Sequence, residues 1–357
     1  MNRTQAELKI NSYLQMVAQQ GGSDLHLSVG RPPIIRIDGK LYPISGEGKL
    51  TAQGVEEAAR AVLNDEQWER LKKEKQIDFS ISLAEKARFR SNIYFQKGIL
   101  GAAFRMIPTK IKTLEELNIP TALYEFTRPS QGFVLVTGPC GHGKSTTLAA
   151  LIDYINHSRQ DHIITIEDPI EYMFDPDMCI IDQREILQDA LNFPSALRAV
   201  FREDADVVMV GEMRDVETIS TAITAAETGH LIFATLHTND AAQTVDRIVD
   251  VFPAHQQNQI RMQLAQSLLG IVSQRLVNRI GGGRVPAVEI LINNNATANL
   301  IREGKSHQIN LVIETSKEQG MISLNHSLAD LVKQGTISME EAEVYSPNKE
   351  ELKILLR

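Results

Sequence analysis

The stretch that most limits how this chain can fold lies before its midpoint. An apolar run, GFVLVTG, leads into GPCGHGKSTT, from Gly138 to Thr147, and then into LAALIDYIN, which has helix-forming character. A buried strand must therefore feed a glycine-rich turn that opens directly into a helix. HIITIEDP, ADVVMVGE and LIFATLHT are further short apolar runs, each separated from the next by a helical stretch. That grammar is the signature of a parallel sheet with crossover helices. From Gln131 onward the chain reads as an α/β domain whose ligand lies at the carboxyl ends of the strands.

The turn has the spacing Gly-x-x-x-x-Gly-Lys-Ser. Its glycines let backbone N–H groups point inward at phosphate oxygens, and the helix N-terminus adds partial positive charge. Gly138, Gly141, Gly143, Lys144, Ser145 and Thr146 are the candidate phosphate-binding residues. Lys144 supplies a full charge for β- and γ-phosphates, and the Ser145 hydroxyl can ligate Mg²⁺. Cys140 and His142 sit inside the loop and read as fillers whose side chains point away from phosphate.

Hydrolysis needs a group that orients or deprotonates water. VVMVGE ends in Glu212, with Gly211 where such enzymes carry a first acid. ITIEDPIEY ends its strand with Glu167 and Asp168, and Glu171 follows; one of these acids can instead cap the next segment. His237 lies at the end of an apolar strand, near where a γ-phosphate would sit. His230 follows Gly229, which is read as stopping the preceding helix.

The first hundred or so residues read as a smaller α/β domain, 1–108. A helix carries Ile10, Leu14 and Val17 and ends at Gly21 and Gly22. DLHLSV alternates as a strand, and PPIIRIDGKLYPI reads as a hairpin turning at Asp38-Gly39. Thr51 caps a second helix. Period two returns from Asp78 to Pro108, with Phe89, Ile93 and Phe95 on one face and Arg88, Arg90, Asn92 and Tyr94 on the other. Residues 109–130, broken by Pro120 and Pro129 after Pro108, read as a linker with a short helix, and 131–357 as the second domain. A hairpin is expected around Gly281 to Gly283, and 295–357 is expected to be mostly helical.

The net charge of −8 over 357 residues argues against a nucleic-acid partner. The two cysteines, Cys140 and Cys179, cannot build a four-cysteine zinc site. No apolar run approaches the roughly 20 residues that span a bilayer. The expected location is the cytoplasm, with any membrane association through a partner.

Taken in order and spacing, GPCGHGKSTT, TIEDPIEY, VGEMRDVETI and TGHLIFATLHT resemble the secretion and pilus ATPase superfamily. GGSDLHL, RFRSNIYFQ, FRMIP, DRIVDVFP and NLIREGK extend the likeness over nearly the whole chain. It looks most like the PilT-type branch, which powers type IV pilus retraction and twitching motility. The resemblance implies a homo-hexameric ring that hydrolyses ATP with Mg²⁺, each subunit pairing an N-terminal PAS-like domain with a RecA-like P-loop domain. It implies a place at the cytoplasmic face of the inner membrane, with the pilus platform protein and pilin as partners. GPCGHGKSTT becomes the Walker A box, VVMVGE an atypical Walker B box, ITIEDPIEY the Asp box and TGHLIFATLHT the His box. Glu167 would be the general base, Glu212 would organise Mg²⁺ through water, and His230 would read the nucleotide state. Arg90 and Arg105 match arginines that reach a neighbouring subunit's nucleotide, and Arg202 and Arg214 are further candidates. The absence of a four-cysteine motif separates the chain from assembly-type relatives. Its ATANLIRE, Ala296 to Glu303, departs from the retraction pattern AIRNLIRE by placing Ala298 where arginine is expected. An assembly or secretion motor and an accessory nucleotide sensor in a mixed ring remain the alternative readings.

Overall fold

Two sheets organise the protein, and the chain divides into two units around them: Met1–Lys110 with Pro169–Met173, and Ile111–Asp168 with Phe174–Arg357. The computed structural model describes residues 3–37, 39–83, 87–107 and 110–357. Asp38 of the expected hairpin turn, and Pro108 and Thr109 at the expected domain boundary, lie outside the described residues.

In the first unit, α1 (Arg3–Gln19) precedes β1 (Asp24–Leu27), β2 (Ile34–Ile37) and β3 (Lys40–Pro43). Then come α2 (Ala52–Val62), α3 (Asp65–Glu74), β4 (Gln76–Leu83), β5 (Ala87–Gln96) and β6 (Ile99–Ile107). The strands form an antiparallel sheet in the order β3-β2-β1-β6-β5-β4. α1 ends as expected, with Gly22 N–H donating to the Val17 carbonyl. Thr51 caps α2 by accepting from Gly54 N–H at 3.0 Å. Period-two alternation sends Phe89 and Ile93 inward, where they join Phe104, Leu25, Leu14 and Val17 in the core. The same alternation leaves Arg90 exposed on the other face.

The second unit opens with residues 111–130, which bury Leu114, Leu123 and Phe126 and include one 3₁₀ stretch, Thr121–Thr127. The sheet follows: β7 (Gly132–Thr137), α4 (Lys144–Ser158), β8 (His162–Glu167), β9 (Ile180–Glu185), α5 (Phe193–Val200), β10 (Val207–Val210), α6 (Val216–Glu227) and β11 (Leu231–Leu236). After α7 (Ala241–Asp250) and α8 (Ala254–Ser267) come β12 (Leu268–Asn278) and β13 (Arg284–Ile292). The sheet order is β13-β12-β7-β11-β10-β8-β9, parallel except for β13. β7, β10 and β11 are buried along their whole length, as expected of strands covered on both faces. β12 and β13 form the expected hairpin over Gly281 to Gly283. The chain then runs through α9 (Asn295–Arg302), α10 (Ile309–Thr315), α11 (Leu324–Lys333), α12 (Met339–Tyr345) and α13 (Lys349–Leu356), the expected helical end. Ala298, on α9, is buried in the main core. Among the described residues no helix is long and apolar enough to cross a membrane.

Candidate functional site

The strand order β7-β11-β10-β8 places four chain segments side by side at one edge of the sheet. The phosphate loop follows β7, His237 follows β11, Gly211 and Glu212 follow β10, and Glu167 closes β8. Residues far apart in sequence thus meet because parallel strands deliver their carboxyl ends to a common edge.

Gly138 has φ of 144°, and a Cβ there would stand 2.4 Å from the backbone oxygen of Gln274. No side chain fits. Gly143 caps α4 with φ of 83°, where a Cβ would meet the Gln274 amide at 2.8 Å. The loop is therefore packed tightly against β12. Buried Lys144 donates from Nζ to the carbonyls of Gly138, at 2.9 Å, and Pro139, at 3.0 Å. Its Nζ also lies 3.3 Å from Nδ1 of His237. Ser145 and Thr146, half-buried, occupy the first turn of α4. Gly141 is at the exposed tip of the loop.

From His237 the contacts continue. Nε2 of His237 is 3.0 Å from Oε1 of Glu212, and Arg214 Nη2 is 2.7 Å from Oε2 of the same carboxylate. Burial alone would raise the Glu212 carboxyl. The Arg214 hydrogen bond and the charges of Arg214, His237 and Lys144 outweigh it and hold the group below the usual range. Glu212 is thus an anion set between cationic groups, one of which is the loop lysine.

Glu167 is 5% exposed, and its Oε1 accepts from the Thr165 hydroxyl at 2.8 Å and from the Gln183 amide at 3.3 Å. Gly211 N–H donates to the Ile166 carbonyl, so the β10 end is stitched to the β8 end beside Glu167. A Cβ at position 211 would stand 3.3 Å from the Ile166 oxygen and 3.4 Å from Glu167 Cα. That crowding gives a physical reason for the missing first acid: a larger residue would press on the backbone that carries Glu167. Asp168 and Glu171 are both exposed, the latter in the Pro169–Met173 segment that groups with the first unit.

The structure does not bring His230 to this edge. His230 and His237 flank β11 at its two ends, which a six-residue strand separates by roughly 20 Å. Nδ1 of His230 lies 3.1 Å from the Ala225 carbonyl, and its ring meets Phe201 edge-on at 5.5 Å. Arg202, next to Phe201, follows α5 toward the same far edge. Of the two histidines that flank β11, His237 is the one beside Lys144.

One loop residue, His142, and one residue of β12, Gln274, do more than sequence reasoning assigned them. His142 Nδ1 accepts from the Leu276 N–H at 2.9 Å, and the His142 carbonyl accepts from the Gln274 amide at 2.8 Å. Burial, with the charges of Arg275, Arg284 and Lys144, pushes the His142 imidazole below its ordinary range, which suits an accepting nitrogen. Buried Gln274 also accepts from the Thr147 hydroxyl at 2.7 Å. No local signal in the sequence marks Gln274. Its partners on the loop lie 127 and 132 residues away. Cys140 is exposed.

In the first unit, Arg90 and Arg105 stand directly opposite each other on β5 and β6, and Arg105 stands opposite Asp24 on β1. Asp24 in turn faces Arg36 on β2. Arg105 Nε donates to Asp24 Oδ1 at 2.9 Å, and Arg36 Nε is 3.5 Å from Oδ2. Three arginines and one buried carboxylate thus share a row across one sheet face. Opposed like charges are unfavourable by themselves, and the side chain of Arg105 remains 74% exposed.

Among the described residues no group of three His, Cys, Asp or Glu is arranged to hold a metal ion. The donors that are present suit Mg²⁺ in a different way. Mg²⁺ commonly keeps several waters and takes only one or two protein oxygens besides phosphate oxygens. The Ser145 hydroxyl in the first turn of α4 can serve as one, and Glu212, already paired with His237 and Arg214, fits a contact through water.

Comparison with known proteins identifies the family. The family model described as Type II/IV secretion system protein matches residues 4–344. The chain is 47% identical over 335 residues to the type IV pilus retractation ATPase PilT of Pseudomonas aeruginosa, covering 94% of this chain and 97% of that protein. It is 47% identical over 321 residues to a twitching motility protein of Neisseria gonorrhoeae, covering 90% and 86%. A crystal structure of the pilus retraction motor PilT with bound ADP superposes with a TM-score of 0.90 at 44% identity, covering 97% of this chain and 99% of that one.

Proposed function

The chain belongs to the Type II/IV secretion system protein family, and on that premise we propose that it is a hexameric motor that couples ATP hydrolysis to type IV pilus retraction and twitching motility. One observation carries the reading. Four adjacent strand ends bring Lys144, His237, Glu212 and the buried Glu167 carboxylate to one edge, with Lys144, His237 and Glu212 in continuous contact.

In the reaction, the loop N–H groups and Lys144 hold the β- and γ-phosphates and stabilise charge that grows on them. Lys144 exchanges its donations to the Gly138 and Pro139 carbonyls for phosphate oxygens. Glu167 takes the proton of the attacking water. His237 and Glu212 fix the position of the groups around the γ-phosphate, and Ser145 and Glu212 would hold Mg²⁺. Mg²⁺, when bound, neutralises phosphate charge. Arg90 and Arg105 act on the nucleotide of the adjacent subunit. Their row carries more positive than negative charge, as a polyphosphate partner requires. An arginine supplied across an interface is worth about 10³–10⁵ in rate and makes turnover depend on ring geometry. The ring works from the cytoplasmic side of the inner membrane against the pilus platform protein and pilin.

The test is genetic. Deleting the gene should leave surface pili in place or more numerous and stop twitching. Wild-type protein should restore movement and Lys144→Ala should not. Restoration by Lys144→Ala would contradict the motor reading and favour an accessory role.

A further inference from the structure

β12 is the strand next to β7, and two consecutive residues on it reach in opposite directions. Gln274 holds the phosphate loop. Arg275 reaches the segment between β11 and α7. Its Nη2 donates to both the backbone and side-chain oxygens of Asn239 at 2.9 Å, while Nη1 donates to the Gln274 carbonyl at 3.1 Å. On β13, Glu289 stands opposite Ser273, two residues from Arg275 and therefore on the same face as it. The Glu289 carboxylate is buried and accepts the Ala241 N–H, at the first residue of α7, at 2.8 Å. Between them, Asp240 caps α7 by accepting from Gln243 N–H at 2.7 Å.

We propose that Arg275 and Glu289 are positioning residues for His237: by anchoring Asn239 and Ala241 to the strand pair that also carries Gln274, they hold the His237 ring between Lys144 and Glu212. The inference deepens the ATPase reading and rests on it. It explains why a carboxylate is buried away from the reacting phosphate. Ala241 N–H is one of the donors that an α-helix leaves without an intrahelical partner, and Glu289 is the acceptor supplied for it. The segment leaving β11 is tied at Asn239 and again at Ala241, so little freedom remains for the residue two places before Asn239. The charged groups facing Glu289 are Arg275 from β12, Asp240 from α7 and Glu314 from α10.

The test compares Glu289→Ala, Glu289→Gln and Arg275→Met in the full-length assembled protein. A misplacement of about 1 Å can lower turnover roughly 100-fold. Glu289→Ala and Arg275→Met are therefore expected to lose about 10- to 100-fold in kcat, with ADP affinity within about twofold of wild type because Gln274 still holds the loop. Glu289→Gln keeps an oxygen for Ala241 N–H and should retain most turnover. In a His237→Ala background neither loss should recur, since the residues act through that ring. Carbon-13 imidazole resonances of His237 should move in Glu289→Ala and Arg275→Met and stay in place in Glu289→Gln. Losses that multiply with His237→Ala, ADP affinity that falls in step with turnover, or a His237 resonance indifferent to both variants would overturn the proposal. Should Glu289→Ala not fold, Arg275→Met carries the same comparison. Absence of turnover in the wild-type ring would instead sink the ATPase reading, while the His237 resonances still decide the positioning role.

Discussion

Replacing Gln274 with methionine separates the loop's support from the loop itself. Methionine keeps the length and nearly the volume of glutamine, so the buried site is not emptied. What disappears is the donation to the His142 carbonyl at 2.8 Å and the acceptance from the Thr147 hydroxyl at 2.7 Å. Each such hydrogen bond contributes roughly 0.5–1.5 kcal/mol net, so the pair contributes about 2 kcal/mol. Thr147 retains its donation to the Gly143 carbonyl at 3.2 Å, which keeps that hydroxyl from being stranded. If the pair serves to hold the loop in its binding shape, nucleotide must supply that energy on binding, and ADP affinity falls about 30-fold. Titration with a fluorescent ADP analogue reads the change directly, and thermal unfolding without nucleotide reports the same loss as a lower midpoint. Affinity within about twofold of wild type would refute the argument that Gln274 preorganises the loop.

Glu289 makes a pH prediction. Burial raises its carboxyl from 4.5 to about 7, with Asp240 and Glu314 adding to the rise while the Ala241 hydrogen bond and Arg275 oppose it. The folded state then binds the extra proton between those values, so stability is greatest at the acid end of that window and falls as pH rises through about 7. A rise of that size corresponds to roughly 3 kcal/mol. Glu289→Gln lacks the titration, so its unfolding midpoint should gain on wild type between pH 5 and pH 8; parallel curves would count against the buried carboxyl. For the arginine row, mixing Arg90→Ala with Lys144→Ala subunits should recover turnover that neither has alone. Mixed rings no better than the parents would place Arg90 outside the neighbour's site.

The loop and its neighbouring acids were legible in the sequence because their geometry needs residue types that few other contexts demand. Gly138 is required by a backbone oxygen 2.4 Å from where a Cβ would sit. Glu167 and Glu212 end apolar runs, and strand ends are where such sheets bind ligands. The exposed face of Arg90 followed from period two alone. Its opposition to Arg105 needed the β5–β6 register, which the chain between those strands sets only in the folded sheet. β9 escaped because it is an edge strand, largely exposed or half-buried, whose last four residues, Asp182 to Glu185, are all polar, where fully buried apolar runs were the signal. The start of β12 escaped because α8 passes into it at Ser267 and Leu268 with no glycine or proline between them. His237, at the carboxyl end of an apolar run, was legible beside the phosphates, whereas the role of His230, at the amino end of the same run, came only from the resemblance. Gln274, Arg275 and Glu289 are ordinary strand residues by pattern. Only the pairing of β12 with β7 and β13 gives them their partners.

The central claim is that this chain cleaves ATP with Glu167 as the proton acceptor, and steady-state phosphate release by Glu167→Gln rings measures it most directly. Glutamine keeps the size of the side chain and an oxygen for the Thr165 hydroxyl, so the change removes basicity and little else. Turnover should fall by about 10²–10⁴ while ATP remains bound in one-to-one proportion to its sites. Phosphate release within a few-fold of wild type would contradict the account.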